Sequence, residues 1–251
     1  MGASAWDAAN MAAAAADVTF RPLTTLEDAD AILRVMIATW GNHQLLPREM
    51  IMALAEAGDV PYGAFDGPDM IGYVLGWAGV APRDGLHLHS HMLATLPDRR
   101  HRGVGYALKL AQRAQCLDQG IHLVRWTFDP MIARNAWLNL GKLGALADGF
   151  RRDFYGQMDD SINTGERSDR LVVRWELDRE PGPRTAAPDA PVVEIPRDHE
   201  TLRAADPQAA HAARDDAAGR IEDLLGRGMV VATFDPAAAA YTFAPQDEVP
   251  A

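Results

Sequence analysis

One stretch of sequence decides the fold: Leu96-Pro97-Asp98-Arg99-Arg100-His101-Arg102-Gly103-Val104-Gly105-Tyr106-Ala107. Pro97 ends a predicted strand, and a helix is predicted to start at Gly103. A helix start presents unpaired backbone N–H groups and the positive end of the helix dipole, which favour anions. Because Gly103 and Gly105 lack Cβ atoms, their backbone amides can approach a phosphate closely. The stretch therefore predicts a basic, phosphate-binding turn between a strand and a helix.

Other interpretations of this turn stay open on the residues alone. A tight glycine turn with solvated arginines at a helix start needs no ligand at all. A Rossmann dinucleotide site fits poorly, because the third glycine is missing and several adjacent strands precede the turn instead of one βαβ unit. A P-loop fits poorly as well, since the Walker lysine is absent.

The pattern on both sides of the turn predicts an α/β domain with a mixed sheet. Thr25, followed three residues later by Asp28, has the spacing of a helix N-cap. The predicted order before the turn is a strand, two helices and three strands, at 18–23, 29–40, 47–58, 60–66, 70–80 and 86–96. After the turn we expect a helix, a strand, a helix and two strands, at 103–119, 121–128, 131–143, 145–155 and 170–177.

The two ends of the chain differ in composition from this domain. We expect residues 1–17, which are alanine-rich, to be a disordered or weakly helical lead-in to the main domain at 18–179. Residues 180–190 are rich in proline and alanine and read as a linker. Residues 191–251 then form a small α/β extension that is too thin to stand alone, so it either packs on the main domain or completes a homodimer.

Composition excludes several functional classes. A single cysteine, Cys116, excludes internal disulfides and cysteine-rich zinc sites and suits a reducing, cytoplasmic setting. No apolar run approaches the roughly 20 residues that span a bilayer. The formal net charge of −11 disfavours nucleic acid and anionic membranes as partners.

The run from Arg100 to Gly105 resembles the R/Q-x-x-G-x-G/A signature of the GNAT acyltransferases. The order of elements from Val18 to Leu177 resembles that fold too, which implies a mixed, mostly antiparallel sheet flanked by helices. Other phrases are similar to a bacterial subgroup of predicted GNAT acetyltransferases that has a C-terminal extension: Ser90-His91-Met92-Leu93, Trp126-Thr127-Phe128-Asp129-Pro130, Arg134-Asn135-Ala136, Asp169-Arg170-Leu171, Glu194-Ile195-Pro196 and Ala204-Ala205-Asp206-Pro207.

The resemblance implies that acetyl-CoA or another acyl-CoA is a co-substrate and that no metal is needed. It places the coenzyme A pyrophosphate and pantetheine arm on particular residues of this chain. The pyrophosphate falls on Arg100, His101, Arg102, Gly103, Val104, Gly105 and Tyr106, and the arm on Leu93, Ala94, Thr95, Leu96 and Asn135. In such a site, a backbone amide near the thioester carbonyl stabilises the negative charge that develops on its oxygen.

Acylation of an amine needs a base, because most amines are protonated at neutral pH. His87, His89 and His91 alternate along one predicted strand and therefore share one face. A histidine titrates near pH 6.5, so His91, the closest of the three to the acyl site in sequence, is the candidate base. The three could instead be half-buried or solvent-facing residues without a role. A metal site fits them poorly, since side chains in one row lie about 6–7 Å apart.

The sequence lacks the tyrosine that serves many members of the family as general acid. Many members of the family carry a tyrosine in the helix after the next strand, and that position falls on Leu140 here. A leucine cannot donate a proton, so water or another tyrosine, Tyr155, is the candidate acid. Trp126, Trp137 and Trp175 are expected to pack in the core.

Three functions remain in view. The first is transfer of an acetyl or succinyl group from coenzyme A to the amine of a small molecule, such as an amino acid. The second is a GNAT-like domain that binds coenzyme A without efficient chemistry, as a sensor or assembly partner. The third is another nucleotide-binding α/β protein, which predicts affinity for ATP or NAD and none for coenzyme A.

Overall fold

The computed structural model describes residues 4–42, 45–100, 102–158 and 165–249. These residues form two compact units, the first within 4–124 and the second within 125–158 and 165–249. The predicted α/β class with mostly antiparallel strand pairing is confirmed.

The first unit alternates helices with an antiparallel meander of four strands in the order β1-β2-β3-β4. Its elements are α1 (Ala5–Ala15), β1 (Thr19–Pro22), α2 (Leu26–Trp40), α3 (Arg48–Glu56), β2 (Tyr62–Asp66), β3 (Asp69–Ala81), β4 (Gly85–Thr95), a 3₁₀ turn (Pro97–Arg99) and α4 (Val104–Asp118). β5 (Leu123–Phe128) begins in this unit and ends in the second.

Helices cover both faces of this meander. On one face, residues of α2 and α3 such as Ile32, Met36 and Ile51 pack against Tyr73 and Leu75 of β3. On the other face, Val104 and Leu108 of α4 pack against Ile71 and Val74. The first unit is therefore a three-layer arrangement in which the central part of β3 is buried on both sides.

The start of α2 confirms the predicted N-cap. The Thr25 side chain accepts a hydrogen bond from the Asp28 amide, and the Asp28 carboxylate accepts one from the Thr25 amide. The guanidinium of Arg21 adds a 2.7 Å ion pair to the same carboxylate. These bonds satisfy amides that a helix start leaves unpaired.

The described part of 1–17 is not disordered but forms the helix α1, the other alternative of the prediction. Ser4 and Asp7 form a capping box at the start of α1, and the indole of Trp6 donates a 2.7 Å hydrogen bond to Asp118 at the end of α4. The Trp6 ring also lies 6.1 Å from that of Phe20 and 5.7 Å from that of Tyr62. The alanine-rich composition does not indicate these contacts with residues distant in sequence, which hold the helix in place.

The second unit continues from β5 through four helical segments and five further strands. Its elements are α5 (Ala133–Ala136), a π-helix (Trp137–Lys142), β6 (Leu146–Arg151), β7 (Arg170–Glu176), β8 (Val192–Glu194), α6 (His199–Ala205), α7 (Pro207–Gly226), β9 (Met229–Asp235) and β10 (Ala240–Pro245). The strand order is β5-β7-β6-β9-β10-β8. The predicted helix at 131–143 is thus partly a π-helix, in which a Cβ on Gly141 would lie 1.9 Å from the Trp137 ring.

The tail at 191–249 has the predicted α/β elements, but 180–190 does not separate two compact units. β9 pairs antiparallel with β6, with Val231 opposite Ala147, so the tail extends the strand order of the preceding segment. Tyr241 and Phe243 of β10 are fully buried. The units divide near residue 124 because the tail and residues 125–158 share one core.

The helices of the described segments include none with both the length and the apolar character needed to cross a bilayer.

Candidate functional site

The basic turn after β4 has the geometry that its glycines predict. The Leu96 amide donates a 2.8 Å hydrogen bond to the Ile71 carbonyl, which carries strand pairing up to the 3₁₀ turn at Pro97–Arg99. Gly103 then takes φ of +87° as the N-cap of α4. That left-handed conformation costs an ordinary L-residue roughly 1–2 kcal/mol, so glycine is needed here for the backbone.

The start of α4 is open to an anion. Among the described residues, no side chain caps it, and the amide of Ala107 is the first in the helix to bond back, to the Gly103 carbonyl at 3.0 Å. Arg102 is exposed and Arg100 half-buried beside it, whereas Arg99 is engaged in a 2.5 Å ion pair with Asp66. Gly105 and Tyr106 are half-buried in the first helical turn, and Val104 is buried beneath them.

His101, the remaining residue predicted at this turn, lies outside the described residues.

A β-bulge in β4 sits just before the predicted pantetheine segment. Leu75 lies opposite Met92 and Gly76 opposite Ser90, so the intervening His91 has no partner on β3. A Cβ on Gly76 would lie 2.5 Å from the His89 carbonyl oxygen, so the close approach at this point requires glycine. Bulges re-aim side chains and are common next to active sites.

The bulge changes which side chains face which helices. Before it, Ser90 points toward α4, where the Lys109 ammonium donates to its hydroxyl at 3.0 Å. After it, Met92 packs with the core under α2 and α3, and Leu93 with the core under α4. Leu93, Ala94 and Thr95 then pair with Val74, Tyr73 and Gly72 of β3, and Leu96 follows.

The predicted histidine face exists, and a tryptophan joins it. The ring of Trp77 on β3 lies 5.2 Å from that of His89 and 4.8 Å from that of His91, and the two imidazoles are 6.0 Å apart. His91 is exposed, while Trp77 and His89 are half-buried. His87 lies farther along the strand, where its Nδ1 is 3.0 Å from the Gly85 carbonyl oxygen.

Both inner histidines favour the neutral form. Protein atoms around its ring partly desolvate His91 and lower its pKa, although the residue remains exposed to solvent. Burial also lowers the pKa of His89, which the nearby His91, His87 and Lys109 depress further, to about 4. A neutral imidazole has a free ring nitrogen that can accept a proton, so His91 is in the state that a general base requires at neutral pH.

Lys109 and Trp77 are the residues near this strand that sequence reasoning missed. Lys109 is 2% exposed, donates to Ser90 and to the Gln112 side chain at 2.8 Å, and burial lowers its pKa to about 7. A lysine inside a helical pattern gives no sign of burial. Trp77 could have been found by pairing β3 with β4 in register, because it lies opposite His89.

The remaining predicted residues lie in the second unit. Tyr155 is 43% exposed in the turn after β6, and its hydroxyl lies 3.3 Å from the Thr127 hydroxyl. Asn135 is half-buried in α5, and Leu140 is fully buried in the π-helix. Trp126 and Trp175 pack in the core as predicted, with their ring centroids 6.1 Å apart.

Within the described segments, no group of three or more His, Cys, Asp or Glu side chains could hold a metal ion.

Neither a family model nor a curated protein sequence matches the chain. Solved structures do match. The ribosomal-protein-S18-alanine N-acetyltransferase from Escherichia coli is 15% identical, with 68% of this chain and 97% of that chain covered and a TM-score of 0.50. An N-acetyltransferase from Staphylococcus aureus is 11% identical, with 64% and 98% covered and a TM-score of 0.52.

A third solved structure is Arabidopsis thaliana NAA60 in complex with a bisubstrate analogue. It is 15% identical, with 63% of this chain and 98% of that chain covered and a TM-score of 0.50. In each comparison nearly the whole neighbour is matched by roughly two-thirds of this chain. The chain therefore contains the complete GNAT acetyltransferase fold and additional elements beyond it.

Proposed function

We propose that this chain, which has the GNAT fold, transfers an acyl group from an acyl-CoA to the amine of a small molecule. The observation that carries the proposal is the strand β4. It leads to the basic, glycine-started helix α4, which no described side chain caps, and it presents the exposed imidazole of His91 on the way there. Such a transfer requires an anion site for the diphosphate and a general base for the amine. Here one short run of chain carries candidates for both.

In this proposal, the diphosphate of coenzyme A binds the amides at the start of α4. Arg100 and Arg102 add positive charge, and the glycine conformation at Gly103 lets the amides converge on the phosphates. The pantetheine arm runs along the backbone of Leu93 to Leu96. Asn135 contacts the arm, as the resemblance implies.

The reaction then proceeds by direct attack. The acceptor nitrogen bonds to the thioester carbon while its proton passes to the neutral ring nitrogen of His91. The carbon–sulfur bond breaks, and the leaving thiolate takes a proton from Tyr155 or from water. The proton on His91 then returns through solvent to restore the donor, Tyr155 or water, so an amine and an acyl-CoA give an amide and free coenzyme A. An acceptor that binds as an ammonium first releases one further proton to solvent.

The acceptor we propose is an amino acid or a related small amine. The half-buried Trp77 and the imidazole of His89 offer an aromatic wall next to the proposed base, His91. An aromatic face attracts a cationic ammonium group before its proton is removed. The single buried Cys116 and the proposed substrates fit a cytoplasmic setting.

A second candidate is a GNAT-like domain that binds coenzyme A without efficient chemistry. The observation that favours it is Leu140, fully buried where the family carries a tyrosine. A leucine side chain has no acidic proton, so the role of general acid is left to the exposed Tyr155 or to water.

Release of free thiol tests the enzymatic proposal. Purified protein is incubated with acetyl-CoA or succinyl-CoA and a panel of amino acids and primary amines. We expect turnover with at least one pair, and a loss of about 100-fold or more in kcat for His91→Gln. His87→Gln is the matched control, because it lies on the same strand and face but outside the tryptophan contact, and it should retain activity.

Binding of coenzyme A without thiol release from any pair would contradict the enzymatic proposal and favour the second candidate. Equal activity of His91→Gln and His87→Gln would remove His91 from the mechanism.

A further inference from the structure

The segment 129–136, between β5 and the π-helix, carries Asn135 and is held by three contacts from the C-terminal tail, residues 191–249. The inference below rests on the proposed function, because it concerns how this segment is positioned for acyl-CoA. All residues involved belong to the second unit.

The first contact is a two-pronged ion pair at the start of the segment. Arg214 of α7 donates from Nη1 to Asp129 Oδ1 at 3.1 Å and from Nη2 to Asp129 Oδ2 at 3.0 Å. Asp129 Oδ1 also accepts the Met131 amide at 2.8 Å, so the same carboxylate shapes the turn that leads into α5. Arg214 is 3% exposed. A buried guanidinium in a planar fork fixes direction as well as distance.

A second carboxylate fixes the orientation of this arginine. Arg214 Nε donates to Glu166 Oε2 at 2.5 Å, and the buried His199 Nε2 lies 3.4 Å from the same oxygen. Glu166 and Arg214 each have only 3% of their side chains exposed. Because a buried charge must stay paired, the fork has little freedom to leave Asp129.

Two further contacts reach Pro130 and Arg134 of the segment. The hydroxyl of Tyr241 on β10, which is fully buried, donates a 2.6 Å hydrogen bond to the Pro130 carbonyl. Glu200 of α6 forms an ion pair with Arg134, immediately before Asn135, with Nη2 and Oε1 3.1 Å apart. Three separate tail elements therefore converge on one short segment.

We propose that Arg214 and Tyr241 are positioning residues for acyl-CoA binding, with the tail acting as a clamp on the segment that carries Asn135. Neither residue needs to touch the substrate. The tail would thereby belong to the catalytic domain functionally as well as structurally, and removal of one clamp contact would loosen the segment while leaving His91 in place.

The test combines two conservative variants with one matched control. Arg214→Lys keeps the charge but loses the fork, and Tyr241→Phe removes one hydroxyl. Arg152→Lys is the control, because Arg152 makes the same kind of fork with Glu222 of the same helix, yet this pair is about 41% exposed and does not reach the segment.

We expect faster hydrogen exchange at 129–136 in both clamp variants and not in the control. We also expect the acyl-CoA KM to rise about tenfold, with kcat changed by less than about twofold, because the reacting groups are untouched. A purely structural role would lower Tm without changing KM or exchange at 129–136 in the folded protein.

Unchanged exchange and unchanged KM in the folded variants would overturn the proposal. If Arg214→Lys does not fold, Tyr241→Phe decides alone. A wild-type protein that turns over no acyl-CoA would refute the proposed function instead, and exchange at 129–136 would still decide whether the tail acts as a clamp.

Discussion

We propose that the turn at 96–105 and the segment at 129–136 both contact coenzyme A, yet the two regions are held in opposite ways. The turn depends on neighbours in sequence: a proline, a left-handed glycine and a helix start. The segment depends on side chains that are distant in sequence. Arg134 pairs with Glu200, 66 residues away, and the Pro130 carbonyl accepts from Tyr241, 111 residues away.

This difference explains why one region can be recognised in the sequence and the other cannot. Backbone conformation at Gly103 is set by the glycine itself, so the motif carries its own geometry. A carboxylate such as Asp129 shows nothing of the arginine that will hold it. Mutations should accordingly act locally in the turn and across the second unit in the segment.

The largest effect should come from removing the tail. A chain that ends at Arg179 loses β9, the partner of β6, and the buried rings of Phe234, Tyr241 and Phe243. Each fully buried apolar side chain contributes about 1.5–3 kcal/mol, so the second unit should fail to fold. The expected result is aggregation and loss of the cooperative thermal transition, measured by circular dichroism.

A truncated chain that is monomeric, unfolds cooperatively and retains coenzyme A binding would show that residues 18–179 are independent of the tail. The segment at 129–136 would then not depend on distant contacts any more than the turn does.

A smaller and more local effect is expected at Gly103. Gly103→Asp places a carboxylate against the proposed phosphate site, and we expect acetyl-CoA to lose most of the stabilisation in Tm that it gives the wild type. Gly120→Asp is the control: Gly120 has φ of +71° just after the other end of α4, and a Cβ there meets no atom within 4 Å. Both variants carry the cost of a left-handed L-residue, roughly 1–2 kcal/mol.

Only Gly103→Asp should abolish the acetyl-CoA effect in a thermal shift measurement. An equal loss in both variants would assign the effect to helix stability and not to the turn.

The smallest effect should be a different response of the two units to acid. The folded pKa of His89 is about 4, below the unfolded value near 6.5, so the unfolded state binds more protons between these values and the first unit loses stability as pH falls from 6.5 to 4. Burial alone would raise the pKa of Glu166, but Arg214 and His199 lower it. The stabilisation that the ionised Glu166 gives to the second unit is therefore present above about pH 4.3 and is lost only below that value.

Hydrogen exchange, corrected for intrinsic rates, measures the two responses separately. Protection at β4 should fall between pH 6.5 and 4, and protection at 129–136 should fall only below about pH 4.3. In His89→Gln, β4 should no longer lose protection between pH 6.5 and 4, and the behaviour of 129–136 should be unchanged. Simultaneous loss of protection in both regions would indicate that the units unfold together and would weaken the comparison.

Most of the secondary structure follows from the sequence because its signals are local. The capping pair Thr25 and Asp28 behaves as its spacing predicts, and the strands leading to the turn lie within two residues of their predicted ends. The histidine alternation correctly predicts that His89 and His91 share a face. The basic turn was recognisable because glycines and arginines carry the signal themselves.

What the sequence could not show depends on pairing or on distance. The bulge at His91 exists only in relation to Gly76 on the neighbouring strand, and Trp77 joins the histidines through the same register. Helix α1 is held partly by the bond between Trp6 and Asp118, 112 residues apart. The fork from Arg214 to Asp129 spans 85 residues and leaves no local pattern.

The central claim is that the turn after β4 binds acyl-CoA, and calorimetric titration tests it most directly. Wild-type protein and an Arg100→Ala/Gly103→Asp double variant are titrated with acetyl-CoA, succinyl-CoA and free coenzyme A. We predict micromolar binding by the wild type that is lost in the folded double variant, with the tighter acyl form identifying the donor. Folded wild-type protein that binds none of the three would contradict the claim and direct the search to nucleotides such as ATP or NAD.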